Sequence, residues 1–210
     1  KQIGLFALLG LPYTWKFLWS PLVDRYAIPL LGRRRGWMFV THVALVASIA
    51  GLGFLRPQTD IWTIAYVAAA VAFFSATLDI AIDAFRRELL PEVELGLGNS
   101  IHVNAYRISS LIPGSLSLIL ADRMPWPSVF VVTALFMLPG LAMTLVVREP
   151  SAAAAAPKTL RDAVVLPFRE FIERSGWKDA LLILAFIFLY KLGDSMATAL
   201  ATPFYLDMGF

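Results

Sequence analysis

Asp79 and Asp83 stand four residues apart in an otherwise apolar stretch, so their carboxylates project from one face of any helix that forms there. Ser75 lies one turn earlier on the same face. Two carboxylates so close oppose each other's ionisation, and a bound proton resolves the conflict. The pair is therefore a candidate proton acceptor. Asp83 also has Arg86 and Arg87 within reach, which gives it a second reading as half of a salt bridge at the edge of the apolar stretch. Four more ionisable groups, Lys16, Arg107, Lys191 and Asp194, interrupt other apolar runs. Facing lipid unpaired, each of the six would cost about 2.5–3.5 kcal/mol at a helix centre. These acids and bases must instead face one another or water, inside a bundle able to hold a polar solute and exchange a proton.

The remaining candidates surround these charges. Arg107 offers a planar fork suited to a carboxylate, with Ser110, Gly114 and Ser117 on roughly the same face. Asn104 and Tyr106 are hydrogen-bonding neighbours that serve equally as packing residues. Lys191 and Asp194 lie three apart on one side of their run, followed by Ser195 and Thr198. They make either a midplane solute site or an internal salt bridge. Lys16 has three readings: substrate contact, counter-ion to Asp79, or a stem that snorkels to the nearby interface. The chain has no cysteine and only His42 and His102 as histidines, which excludes disulfides and thiol nucleophiles and argues against a metal site. No metal and no cofactor are expected.

The elements that must position these residues are membrane helices. Residues of hydrophobic type make up 59% of the chain and charged ones 16%, with a mean hydropathy of +0.71; in soluble domains charged residues make up about a quarter. This composition predicts an all-α, polytopic integral membrane bundle. A hydrocarbon core of about 30 Å takes roughly 20 apolar residues, and that rule places six spans near 3–23, 37–55, 61–84, 99–120, 128–147 and 179–205. The loops after the first and third spans carry Arg25, Arg33, Arg34, Arg35, Arg86 and Arg87, and the connection after the fifth carries six more bases from Arg148 to Lys178. The opposite side has Arg56 and Arg123, with Lys1 at the start of the chain. Cytoplasmic loops carry the excess of Lys and Arg, so the base-rich loops are expected in the cytoplasm and both ends of the chain on the outer side. Trp62, Trp126 and Trp177 fall at span ends, where interfacial anchors belong.

The connection over 148–178 begins with an alanine run and becomes amphipathic: Leu160, Val164, Phe168, Phe171 and Ile172 recur at helical spacing, with charged residues opposite. Thr159 and Asp162 approximate a capping box, Pro167 predicts a kink or a break, and Ser175-Gly176 predicts the helix end. Such a segment either lies on the membrane face or packs against neighbouring loops.

Asp24-Arg25 followed by Gly32-Arg33-Arg34-Arg35 resembles the loop between helices two and three of the major facilitator superfamily. The resemblance implies a cytoplasmic gate in which Asp24 latches onto the bases Arg25, Arg33, Arg34 and Arg35 and onto a neighbouring helix terminus. It also implies that the spans are helices two to seven of a longer protein. On that reading residues 1–147 belong to an N-terminal half lacking its first helix, 148–178 form the linker between halves, and 179–210 open the C-terminal half. More specifically, the stretches 16–26 and 32–37, Asp79-Ile80 with Asp83-Ala84, Tyr106-Arg107, 157–160 and 189–194 together resemble the AmpG-type muropeptide permeases, in the same order along the chain. A weaker similarity around Asp79 and Asp83 extends to acetyl-coenzyme A transporters.

The family resemblance implies proton-driven import of an anionic sugar-peptide across the bacterial inner membrane. Its partners would be that small molecule, protons and membrane lipids, with no nucleic acid and a monomeric carrier. Asp79 and Asp83 are then the proton-coupling candidates, and Lys16, Arg107, Lys191, Asp194, Tyr106 and Asn104 the substrate-binding ones. Three rivals stand beside this reading. A carrier of another anionic metabolite such as acetyl-coenzyme A uses the same features. A channel or signalling protein would favour one ring of charge over scattered pairs. A membrane enzyme would need convergent acids near one interface.

Overall fold

A computed structural model describes residues 10–29, 31–150 and 159–208. It comprises α1 (Leu11–Trp15), a 3-10 turn (Lys16–Leu18), α2 (Ser20–Arg25), α3 (Arg33–Leu52), α4 (Ile61–Leu89), a second 3-10 turn (Glu92–Glu94), α5 (Leu95–Ser109), a π-helical turn (Ile112–Leu116), α6 (Ser117–Ala121), α7 (Trp126–Leu135), α8 (Leu138–Val146) and α9 (Leu160–Asp207). There is no named strand among the described residues. The chain divides into two compact units, 1–160 and 161–210.

In the first unit α3 is the central helix, packed against α4 on one side and against α7 and α8 on another. The buried contacts are small: Ala76 and Ala81 of α4 are completely inaccessible, as are, nearly so, Val129 and Ala134 of α7. Small residues let helix backbones approach closely where water exclusion does not drive association. The buried threonine hydroxyls bond carbonyls of their own helices: Thr41 donates to Trp37 O at 2.6 Å, Thr77 to Phe73 O at 2.8 Å and Thr144 to Gly140 O at 2.9 Å. Buried His42 is held the same way, its Nδ1 2.8 Å from Met38 O.

Among the described residues three segments are long and apolar enough to cross a membrane: Arg33–Leu52, Ile61–Leu89 and Trp126–Val146. They correspond to the second, third and fifth predicted spans, α3 starting and α4 ending beyond the apolar core because charged residues at the base-rich end extend both helices. Two other predicted spans are interrupted. In the first, of which residues 3–9 lie outside the described ones, α1 gives way to the 3-10 turn. Pro21 lacks the N–H that would serve the carbonyl of Phe17, and the Ser20 hydroxyl takes that carbonyl at 3.2 Å. In the fourth, Pro113 lies in the π turn. Hydropathy is blind to both interruptions, since neither changes how apolar the segment is.

In the second unit the predicted break falls where Ser175-Gly176 places it: Gly176 has φ +75° within an otherwise helical run. Pro167 does not split the helix. The chain turns instead at the residue that reaches positive φ without a Cβ penalty. The predicted span 179–205 runs within α9.

Candidate functional site

Lys16 reaches across to α4 and places Nζ 2.6 Å from Asp79 Oδ2. Tyr13 in α1, Lys16 in the 3-10 turn and Trp19 just after it are spaced three apart, and all three meet α4. The Tyr13 hydroxyl is 2.6 Å from Ser75 Oγ, and the Trp19 indole N–H donates to Thr77 Oγ1 at 3.1 Å. The Trp19 ring also lies 5.0 Å from that of Phe73. Two neutral hydrogen bonds thus flank one ion pair. The pair is not sealed: the Lys16 and Asp79 side chains are 34% and 40% exposed, beside the buried Ala76, Thr77 and Leu78. Of the three readings of Lys16, the structure has the counter-ion.

Asp83 points elsewhere. Its Oδ1 accepts from Arg86 Nη2 at 2.9 Å, three residues along α4. The two acids that share a helix face therefore have different partners, one from another helix and one local.

The base-rich end is a second cluster, built on the start of α3. Arg34 donates to Asp24 Oδ1 at 2.6 Å and to Glu88 Oε1 at 2.6 Å and 3.0 Å, and Arg33 adds a bond to the same Glu88 oxygen at 3.0 Å. This draws together the ends of α2, α3 and α4. The start of α3 is occupied by Glu149, whose two carboxylate oxygens accept the backbone N–H groups of Arg34 and Arg35 at 2.7 Å and 3.0 Å. A carboxylate there complements the positive end of the helix dipole. Gly32 makes room for it, with φ +94° and a position where a Cβ would come 2.8 Å from Glu149 Cδ. Arg35 leaves the acids altogether and donates to the carbonyls of Thr144 and Leu145. The Arg25 guanidinium sits over the Tyr26 ring, 5.4 Å from its centroid.

Glu88 and Glu149 are the residues the sequence reasoning passed over as sites. The available signal was an acid at a base-rich helix end, in Arg87-Glu88 and Arg148-Glu149-Pro150.

The other candidates are not gathered at the Lys16–Asp79 pair. Helix α5 makes its principal contacts with the turns that flank it. On it Arg107 is exposed and has no ion pair among the described residues, Tyr106 is exposed, and Asn104 donates to Ser100 O at 2.8 Å. Lys191 is exposed on α9 in the second unit; the side chain of Asp194 lies outside the described residues. Among the described residues no group of His, Cys, Asp and Glu is arranged to hold a metal ion.

The family model described as Major Facilitator Superfamily matches residues 3–210, nearly the whole chain. The chain belongs to the major facilitator superfamily. This superfamily member is a multi-pass protein of the bacterial inner membrane. It is 50% identical over 212 residues to an uncharacterized protein of Haemophilus influenzae, covering 100% of this chain and 50% of that protein. It is 44% identical over 212 residues to the anhydromuropeptide permease of Escherichia coli, covering 100% of this chain and 43% of that one. To the putative transporter AmpG 4 of Rickettsia felis it is 30% identical over 218 residues, 99% of this chain and 52% of the relative. The chain spans about half the length of the curated relatives it matches.

Proposed function

We propose that this chain is part of a proton-coupled carrier that imports anhydromuropeptides, and that Asp79 is its proton carrier. The chain acts in transport, not as an enzyme. The observation that carries the reading is the Lys16–Asp79 ion pair. It lies between two helices of a membrane bundle, is partly open, and is held in register by hydrogen bonds on both sides. A charged pair within a membrane bundle is costly to keep, and an acid there that can be reached is suited to taking up and releasing a proton. The 44% identity to an anhydromuropeptide permease supports the substrate.

In this reading Asn104, Tyr106 and Arg107 in the first unit, and Lys191 and Asp194 in the second, are each substrate-binding residues of the full-length protein. The cluster of Asp24, Arg33, Arg34, Glu88 and Glu149 acts as the cytoplasmic gate: its ion pairs join the ends of α2, α3 and α4, its hydrogen bonds to Glu149 add the end of α8, and all must rearrange as a group when that side opens. Residues 1–147 form most of the N-terminal half, 148–178 the linker, and 179–210 the first helix of the second half. The carrier works as a monomer in the lipid bilayer.

The test is uptake of labelled anhydromuropeptide by the full-length protein in liposomes, with and without an inward proton gradient. Accumulation that collapses when the gradient is dissipated is the expected result. Absence of transport by folded protein under both conditions would overturn the substrate assignment.

A further inference from the structure

At the end of the first unit opposite the base-rich cluster, two apolar clefts share Leu52, Trp126 and Phe130 as a common wall. The Trp126 and Phe130 rings lie 6.2 Å apart on successive turns of α7. One cleft, of about 230 Å³, is completed by Ile49 of α3 and by Pro113 in the π turn. The other, of about 320 Å³, is completed by Pro57 in the loop after α3 and by Ile64 and Ala68 of α4.

The linings suit hydrocarbon. The hydroxyls in the first cleft already serve each other: Ser117 donates to Ile112 O at 2.9 Å, so Thr133 is the donor in its 3.0 Å contact with Ser117 Oγ. In the second cleft the Trp126 indole N–H is the one side-chain polar group of the lining. A sugar or peptide buried in either cleft would leave its own polar groups without partners. The depth is that of a membrane boundary. The crossing segments α3, α4 and α7 end at Leu52, begin at Ile61 and begin at Trp126, and Thr133 lies about 10 Å further along α7 than Trp126. Trp126 is exposed, and its indole N–H has no partner among the described residues. An aromatic ring with a free polar tip belongs at headgroup level.

Two loops meet beside the clefts. Gly53 approaches the start of α7 so closely that a Cβ there would lie 3.0 Å from Pro127 Cα. The loop after Gly53 carries Arg56, and the loop before Trp126 carries Arg123. Both are exposed and without an ion pair among the described residues. Asp60 accepts the backbone N–H of Arg56 at 2.9 Å, not its guanidinium, and Asp122 is exposed beside Arg123. Guanidinium groups match phosphate oxygens in both charge and geometry.

We propose that this end of the bundle binds one phospholipid with two acyl chains. One chain occupies each cleft, the two straddling Leu52, Trp126 and Phe130, and the phosphate is held by Arg56 and Arg123. Two clefts with one common wall fit two chains on one headgroup, where a fatty acid or a single-chain detergent would fill only one. The lipid comes from the leaflet away from the base-rich end, and the site does not depend on which solute the carrier moves.

The test is native mass spectrometry of delipidated full-length protein titrated with dioleoyl phosphatidylglycerol. Wild type is expected to bind one molecule at least tenfold more tightly than those that follow. The exposed pair Arg56→Gln with Arg123→Gln, which leaves the packing untouched, should weaken that first molecule roughly tenfold or more, the scale of lost charge-assisted hydrogen bonds. Oleoyl lysophosphatidylglycerol, with one chain, and dioleoylglycerol, with no phosphate, should each bind wild type at least tenfold more weakly. Ala68→Phe, which fills one cleft from its wall, should bring the two-chain lipid down to the affinity of the one-chain lipid. If the first molecule binds the double glutamine variant as tightly as wild type, or the one-chain lipid binds as tightly as the two-chain lipid, the contact is unspecific solvation by hydrocarbon and the inference fails. It fails equally if full-length wild type binds no phospholipid more tightly than the rest, since other helices of the protein then close the clefts.

Discussion

The Glu149 carboxylate accepts the backbone N–H of Arg35 at 3.0 Å, while the Arg35 guanidinium donates to the carbonyls of Thr144 and Leu145 just before Glu149 in the chain. Each residue thus satisfies the open end of the helix beside the other: Glu149 caps the start of α3, and Arg35 caps the end of α8. Helix termini leave backbone groups without intrahelical partners, and at this end of the molecule two termini are closed by one reciprocal contact.

Glu149→Ala should therefore act as the loss of a helix cap and of a charge favourable to the dipole. The expected cost is about 1–2 kcal/mol, read as a lower thermal midpoint of the full-length protein in detergent. Glu149→Gln, which keeps an acceptor but not the charge, should lose less. Equal midpoints for wild type and Glu149→Ala would show that the cap does not stabilise the fold.

Arg34 is the hub of the same end. Its side chain is 6% exposed and that of Glu88 14%, so removing one partner strands the other out of water. Arg34→Leu is expected to destabilise by about 3 kcal/mol or more; Arg34→Lys should cost less because it keeps the charge, yet still cost something because an ammonium cannot span Asp24 and Glu88 as a fork does. Replacing both Arg34 and Glu88 by leucine should recover much of the loss in thermal stability. If the double variant is no better than Arg34→Leu alone, the two side chains are not energetically coupled.

Gly32→Ala tests the approach of Glu149 from the other side. A Cβ at φ +94° costs about 1–2 kcal/mol, and it would come 2.8 Å from Glu149 Cδ. The thermal midpoint should fall by at least as much as for Glu149→Ala, and combining the two substitutions should cost less than the sum of their separate effects. Strict additivity would mean that the glycine is needed for its torsion alone.

Asp79 and Asp83 are expected to separate in transport assays. Asp79→Asn should abolish accumulation of substrate while leaving exchange across the membrane. Asp83→Asn removes a half-exposed contact to Arg86, worth about 1 kcal/mol or less, and should retain most of the gradient-driven accumulation. Accumulation surviving in Asp79→Asn, or lost in Asp83→Asn alone, would reassign the proton carrier.

Composition and periodicity alone determined that this is a helical membrane protein, where three of its crossing segments lie, and which end is rich in base. They also determined that Asp79 and Asp83 share a face, because that follows from the helix repeat. Even the turn at Gly176 was legible, since glycine is the residue that accepts positive φ there. All of these are local properties, set by residues within a few turns of one another.

Tertiary structure decided the partners. Lys16 and Asp79 are separated by 63 positions in the chain, Arg34 and Glu88 by 54, and Glu149 and the Arg34 amide by 115. Whether such groups meet depends on the rotation and axial register of whole helices. Hydropathy does not encode these quantities, because turning a helix about its axis changes which charges meet without changing how apolar it is. The 3-10 turn after α1 alters that rotation, and where the chain alone left Lys16 three readings, the fold pairs it with Asp79.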